Sequence, residues 1–160
     1  MIVVADASPL IALVNIGHLT VLPTLFGTVT IPQVIVKELS QPNRPQPVRD
    51  FIASAPPWLL VRSPASVESI PLLHDGERAA ISLAMELHAD LLLIDEAHGR
   101  RAAAERHIAI AGTVGILELA ADRKLLDLAD AFTRLKKTDF WISHDLLDRR
   151  LQLRDDRFKD

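Results

Sequence analysis

Leu91-Leu92-Leu93-Ile94-Asp95-Glu96, continued by Ala97-His98-Gly99-Arg100-Arg101, is the stretch on which the reading of this chain turns. Four consecutive aliphatic residues read as a strand buried on both faces, and the run stops on two carboxylates. Open α/β sheets bind their ligands just outside the carboxyl ends of the strands, which is where an acid in this position sits. The N-terminus repeats the design: Ile2-Val3-Val4-Ala5 is a short apolar strand, and Asp6 ends it. Two strands that each finish on an Asp imply one shared acidic site.

Outward from these strands, Ser8 is placed to cap a helix and Pro9 suits its first position. That helix carries Leu10, Ile11, Leu13 and Val14 and ends near Gly17. A short helical piece over 19–26 stops at Gly27, and 28–31 is β-rich. Pro32 starts a helix on which Glu38 shares the apolar face of Val34 and Ile35. A three-proline loop over 41–47, a helix over 48–54, a strand over 58–61 and a loop over 63–73 follow. Glu77 then heads a helix whose apolar stripe is Ala80, Ile81, Ala84 and Met85. After Asp95 come a helix over 97–106, a short strand over 108–110 and a helix opened by Gly112-Thr113. From Leu126 the chain reads as two or three helices with a charged tail over 149–160. Alternation of strand and helix predicts one α/β domain over 1–160: three layers, α/β/α, around a mostly parallel sheet, with a helical C-terminal extension from about 125.

Composition narrows the function classes. Of 160 residues, 49% are hydrophobic and 24% charged, as in an ordinary globular domain. The absence of cysteine excludes disulfides and thiolate metal sites and suits a reducing compartment. With net charge -3 and pI about 6.0, no global basic field advertises nucleic acid. The apolar N-terminus lacks a basic leader and carries Asp6, so it reads as a strand and not a signal peptide. No apolar run approaches the roughly 20 residues of a membrane span, the longest candidate being broken by Glu86, His88 and Asp90. A cytoplasmic protein without a membrane partner is the expectation.

Four acids stand out by position: Asp6, Glu38, Glu77 and Asp95. Carboxylates brought together repel, so a cluster persists only if a cation neutralises it or some members stay protonated. Oxygen donors without cysteine favour Mg2+ or Mn2+ over zinc, and such ions can activate water at a phosphodiester. Each acid has a plainer reading as well. Asp6 and Asp95 could be helix caps, Glu38 a helix-end acid at the rim of the core, and Glu77 a first-turn acid favoured by the helix dipole.

Arg100 and Arg101, one helical turn past the strand-end acids, are candidates to meet phosphates; the alternative is a solvated helix face. Arg44/Arg49 and Lys136/Lys137 stand under the same two readings. The six histidines form no His-x-x-x-His pair, which argues against zinc, and His98 is a weak candidate to touch substrate. Gly112-Thr113-Val114-Gly115 lacks the Lys of a phosphate loop. Trp58 and Trp141 are too few to suggest by themselves a stacking platform for bases, and Trp141 with Phe140 and Ile142 is expected to pack a C-terminal helix or a dimer contact.

Taken together, Val3-Val4-Ala5-Asp6-Ala7-Ser8-Pro9-Leu10-Ile11, Ile31-Pro32 through Glu38-Leu39, Asp75-Gly76-Glu77-Arg78-Ala79-Ala80-Ile81 and Leu92-Leu93-Ile94-Asp95-Glu96 resemble the PIN domain. The branch of predicted PIN-type nucleic acid-binding proteins matches best, since it also shows Gly112-Thr113-Val114-Gly115-Ile116-Leu117. The resemblance runs from Val3 to about Lys124. It implies a ribonuclease whose Mg2+ or Mn2+ is held by Asp6, Glu38, Glu77 and Asp95, with Ser8 near a ligand water. It also implies candidacy as the toxin of a type II toxin–antitoxin pair, with RNA as substrate, a cognate antitoxin as partner and a homodimer as assembly. Many PIN nucleases carry a further acid shortly after the fourth; here Glu96 is adjacent to Asp95 and would point elsewhere unless the strand ends there. The alternative is a non-catalytic PIN-like module that binds nucleic acid or protein. A receiver-like phosphoacceptor would need an acidic neighbour beside Asp6, which is absent.

Overall fold

The computed structural model describes residues 1–158, so the last two residues of the charged tail lie outside the described residues. In chain order the elements are β1 (Val3–Ala5), α1 (Ala7–Asn15), α2 (Val21–Phe26), β2 (Val29–Ile31), α3 (Gln33–Leu39), α4 (Gln46–Ser54), β3 (Leu59–Val61), α5 (Asp75–Glu86), β4 (Leu91–Leu93), α6 (Ala97–Glu105), β5 (Ile110–Ala111), α7 (Thr113–Asp122), α8 (Leu128–Lys136) and α9 (His144–Arg157). The five strands form one sheet in the order β3-β2-β1-β4-β5, every pairing parallel. This is the α/β fold with a parallel sheet that the alternation of strand and helix predicts.

Topology places the site. From β1 the chain winds outward through β2 and β3, then returns to the other side of β1 for β4 and β5. The winding direction therefore switches between β1 and β4, and a crevice opens beyond their carboxyl ends. Register brings the two strand-end aspartates together: Ala5 pairs with Leu93, and the Asp6 amide donates to the Leu93 carbonyl at 2.9 Å. At the opposite end the Ile2 amide donates to Asp90 Oδ2 at 2.6 Å, and the Asp90 amide to the Ile2 carbonyl at 2.8 Å.

The central strands are continuous apolar runs because helices cover them. Val3, Val4, Ala5, Val29, Ile31, Leu92 and Leu93 are all buried, whereas Leu60 and Val61 on the edge strand β3 are exposed. Leu10, Leu13, Ile35, Leu39, Ile81, Leu83 and Phe132 fill the space between helices and sheet. Each such side chain contributes about 1.5–3 kcal/mol on burial.

Several boundaries differ from the sequence expectation for local reasons. Helix α1 begins at Ala7 with Asp6 at the N-cap position, so Ser8 is inside the helix and is no cap. Pro9 sits third in the helix, where its missing amide still costs nothing. Met85 falls off the buried stripe of α5 and is exposed, while Ala79 and Leu83 take part in the core. The last strand is Ile110–Ala111, with Ile108 buried just before it. Past residue 125 two helices form, and α9 is attached lightly. Leu147 is its buried residue, and the pairs Lys136–Asp148, Arg150–Glu118 and Arg154–Asp122 tie it to α8 and α7.

Candidate active site

At the carboxyl ends of β1, β4 and β5 lies an open cleft of about 960 Å3, and Asp6, Glu38, Glu77 and Asp95 all line it. The fold thus gathers the four acids around one space. They are not closed into a coordination shell: among the described residues no group of three or more His, Cys, Asp or Glu side chains is arranged to hold a metal ion.

Asp95 is the most tightly held of the four. Its Oδ1 accepts from the Thr113 amide at 2.7 Å, and its Oδ2 accepts from Thr113 Oγ1 at 2.8 Å and from Ser8 Oγ at 3.0 Å. An ionised carboxylate offers about four acceptor positions, so three donors orient it and leave room for one further partner. Thr113 is fully buried, at the start of α7. Gly112 is needed beside it, because a Cβ there would lie 2.8 Å from Asp95 Oδ1 and 2.7 Å from Arg100 Nη1. The sequence marked this Gly-Thr pair as a helix opening and as part of the stretch that carries the family resemblance, without a role at the site; the structure shows it gripping the strand-end acid. Asp95 does not cap α6, a role that falls to Glu96, whose carboxylate accepts from the Gly99 amide at 2.9 Å.

Asp6 and Glu77 are different: both are buried, at 2% and 3% exposure, and each has one carboxylate oxygen without a hydrogen-bond partner, Asp6 Oδ1 and Glu77 Oε2. Asp6 makes no side-chain cap to its helix. Burial pushes its carboxyl up to about 7, the charges of Glu77 and Glu38 push the same way, and the Ala7 amide and His74 pull it down. Glu77 closes a capping box with His74, accepting the His74 amide at 3.1 Å while His74 Nδ1 accepts from the Gly76 and Glu77 amides. Its carboxyl is raised above the usual range, first by burial and then by the neighbouring Glu96 carboxylate. Glu96 is lowered: its burial acts upward, but the Gly99 and His98 amides outweigh it. Of this pair, Glu77 is the readier to take up a proton. Because β4 ends at Leu93, Glu96 turns back toward Glu77 and lines the cleft beside the four acids.

Glu38 is half-buried on α3 and pairs with Arg44, Nη2 to Oε1, at 3.4 Å. Gly76 makes room for it, since a Cβ at that position would lie 2.8 Å from Glu38 Oε2. Arg44 thus belongs to the acidic wall, and Arg49 donates to the Arg44 carbonyl at 3.1 Å. Arg100 also lines the cleft, its Nη1 donating to the Ile94 carbonyl at 3.0 Å, whereas Arg101 and His98 are exposed on α6 away from the lining. Lys136 is spent on Asp148. Trp141 does not pack against the C-terminal helix, one of the two roles expected of it: it is 98% exposed at the cleft.

The donor set is carboxylate oxygen throughout, and two of those oxygens are buried with nothing to bind. Such a set fits a hard divalent cation, whose charge would replace the protons that burial now favours on Asp6 and Glu77.

A parallel sheet with acids gathered at its winding switch is an α/β domain of the kind to which PIN domains belong. The chain belongs to the DUF3368 family, a PIN-domain family whose model matches residues 2–156. That match runs beyond Lys124 and takes in α8 and α9. Among solved structures it is similar to a PilT N-terminus domain protein from the hyperthermophilic archaeon Sulfolobus solfataricus P2, with a TM-score of 0.56 and 19% identity over 76% of this chain and 92% of that one. At that identity the likeness concerns the fold. No curated protein matches the chain. PIN domains are generally nucleases and typically use a divalent metal. No helix among the described residues is long and apolar enough to cross a membrane.

Proposed function

We propose that this protein is a Mg2+- or Mn2+-dependent endoribonuclease that hydrolyses RNA phosphodiester bonds with Asp6, Glu38, Glu77 and Asp95. The observation that carries the reading is the pair of orphaned, buried carboxylate oxygens on Asp6 and Glu77, which cost stability unless a cation uses them. Bound there, the ion would lower the pKa of a water and offset charge on the phosphate. Ser8 and Thr113 keep the Asp95 carboxylate in one orientation. Arg100, beside Gly112 in the cleft, is placed to meet a phosphate oxygen. Glu38, now paired with Arg44 at 3.4 Å, would supply a further carboxylate to the cation. Membership of the family supports two finer features, a role as the toxin of a type II pair opposed by a cognate antitoxin, and assembly as a homodimer in the cytoplasm.

A second reading is favoured by the Arg44–Glu38 pair, which already neutralises one acid from within the chain. It makes the protein a non-catalytic module that grips RNA or a partner protein. Cleavage of a pool of single-stranded and structured RNA, with Mg2+, Mn2+ or EDTA, separates the two. Metal-dependent cutting that disappears in Asp95→Asn is expected. No cutting with either metal, together with no metal binding by calorimetry, sinks the nuclease and leaves the module.

A further inference from the structure

We propose that Trp141 is a stacking platform for one nucleobase of a single-stranded RNA whose backbone enters the acidic cleft. The proposal rests on the nuclease reading for its choice of ligand but on different residues for its support.

Trp141 lies on the strap over 137–143 that joins α8 to α9 and forms one wall of the cleft. The strap is held in place. Thr138 Oγ1 donates to the Leu135 carbonyl at 2.7 Å and accepts from the Phe140 amide at 3.2 Å. Phe140 and Ile142, on either side of Trp141, are partly buried against the core. Ser143 closes the strap by capping α9, its Oγ accepting from the Leu146 amide at 3.2 Å. With both neighbours anchored inward, the indole between them is turned out, and it is 98% exposed. An indole displayed this way keeps its apolar area in water and is available to a planar partner.

The surroundings choose that partner. Beside Trp141 the strap and the start of α9 present Asp139, Ser143, His144 and Asp145, all exposed and polar. A second protein copy would need a continuous apolar patch, and about 800 Å2 per partner for a standard interface. Leu146, on the first turn of α9, is exposed at the same wall of the cleft, and one ring with one leucine in a polar collar falls short of both. The collar's carboxylates also repel a phosphate, so the strap suits the face of a base while Arg100, on another part of the same cleft, suits the backbone. A cleft of about 960 Å3 is at the upper end of the roughly 300–1,000 Å3 of ligand sites, enough for more than one nucleotide. Duplex RNA hides its base faces, so the platform selects single strands, loops or ends.

The test uses the two-tryptophan composition of the chain. Trp58 stacks on Phe51 with centroids 5.9 Å apart, so Trp58→Phe keeps that contact and leaves Trp141 as the reporter. In EDTA, where metal-dependent cutting is off, this variant is titrated with a short single-stranded oligoribonucleotide, its duplex and an abasic strand of equal length. Quenching of Trp141 by the base-bearing single strand, and little by the other two, is expected. Trp141→Ala should weaken single-strand binding by roughly 5- to 150-fold, the value of one base stack, with Trp141→Phe retaining most of it. Equal quenching by the abasic strand, unchanged affinity in Trp141→Ala, or no binding of any single strand overturns the proposal. So does concentration-dependent Trp141 emission with loss of a dimer in Trp141→Ala, which would assign the ring to a second copy. Failure of Mg2+-dependent cutting leaves these outcomes untouched, and a failed stack leaves the nuclease standing.

Discussion

Replacing Asp6 by Asn should make the metal-free protein more stable at neutral and alkaline pH. The carboxyl is raised from 3.8 to about 7, chiefly by burial, so between those values the folded state keeps a proton that the unfolded chain has released. Folding stability therefore falls as pH climbs through that window, and the loss is complete above about 7. At about 1.36 kcal/mol per pKa unit, the ionised side chain costs the fold about 4 kcal/mol at pH 8. Asn carries no charge to bury, which sets that figure as the ceiling of the gain. For a domain of this length the gain corresponds to a rise in Tm on the order of 10 °C. Urea and thermal unfolding in EDTA at pH 8 and pH 3 measure it. The variant should be the more stable at pH 8, and the gap should close at pH 3, where Asp6 is protonated in both states. Added Mg2+ should then raise wild type more than the variant, which keeps Glu38, Glu77 and Asp95 but has lost one charged ligand. Equal stability at pH 8 without metal would refute the reasoning, since it would mean that burial of this acid carries no cost.

Thr113→Val removes a buried hydroxyl that donates to Asp95 and should cost about 1.5–3 kcal/mol in urea unfolding along with most of the cleavage rate, with Thr113→Ser restoring both. Gly112→Ala drives a methyl into the Asp95 and Arg100 groups; a rate assay should show cleavage lost while Tm moves by only a few degrees, because Arg100 can swing but the gripped carboxylate cannot. Leu147→Ala empties the single deep anchor of α9 and should cost about 2–5 kcal/mol. Limited proteolysis should then cut first in the strap over 137–143, and an unchanged cleavage pattern would show that the ion pairs alone hold the helix.

Most of the fold could be read from strings of one kind of residue. Leu91 through Ile94 announce a buried strand, Gly27 a helix stop, and the Ser8-to-Leu13 region a helix, because each follows from local sterics or hydrophobic period. The four acids could be named for the same reason, since each sits at a strand end or on an apolar helix face. What stayed hidden depends on contacts across the chain. Thr113 reaches Asp95 over 18 residues and Ser8 over 87, distances no local pattern encodes. Glu96 joins the cleft only because β4 ends one residue earlier than its apolar run, at Leu93. Trp141 read as a packing residue because its neighbours Phe140 and Ile142 do pack, and sequence does not say which of three adjacent apolar side chains is left outside.

The strand order has a further consequence for the protein while it is being made. Asp6 leaves the ribosome early, yet its neighbour across the sheet is the strand that ends next to Asp95, and the residue that orients Asp95 is Thr113. A nascent chain shorter than this has every helix of its first half and no working centre. If cleavage of cellular RNA is the activity, the order of elements acts as a safety interlock on the translation apparatus itself: a product stalled before β4 lacks Asp95, one stalled before α7 lacks the Thr113 that orients it, and neither cuts the message that encodes it.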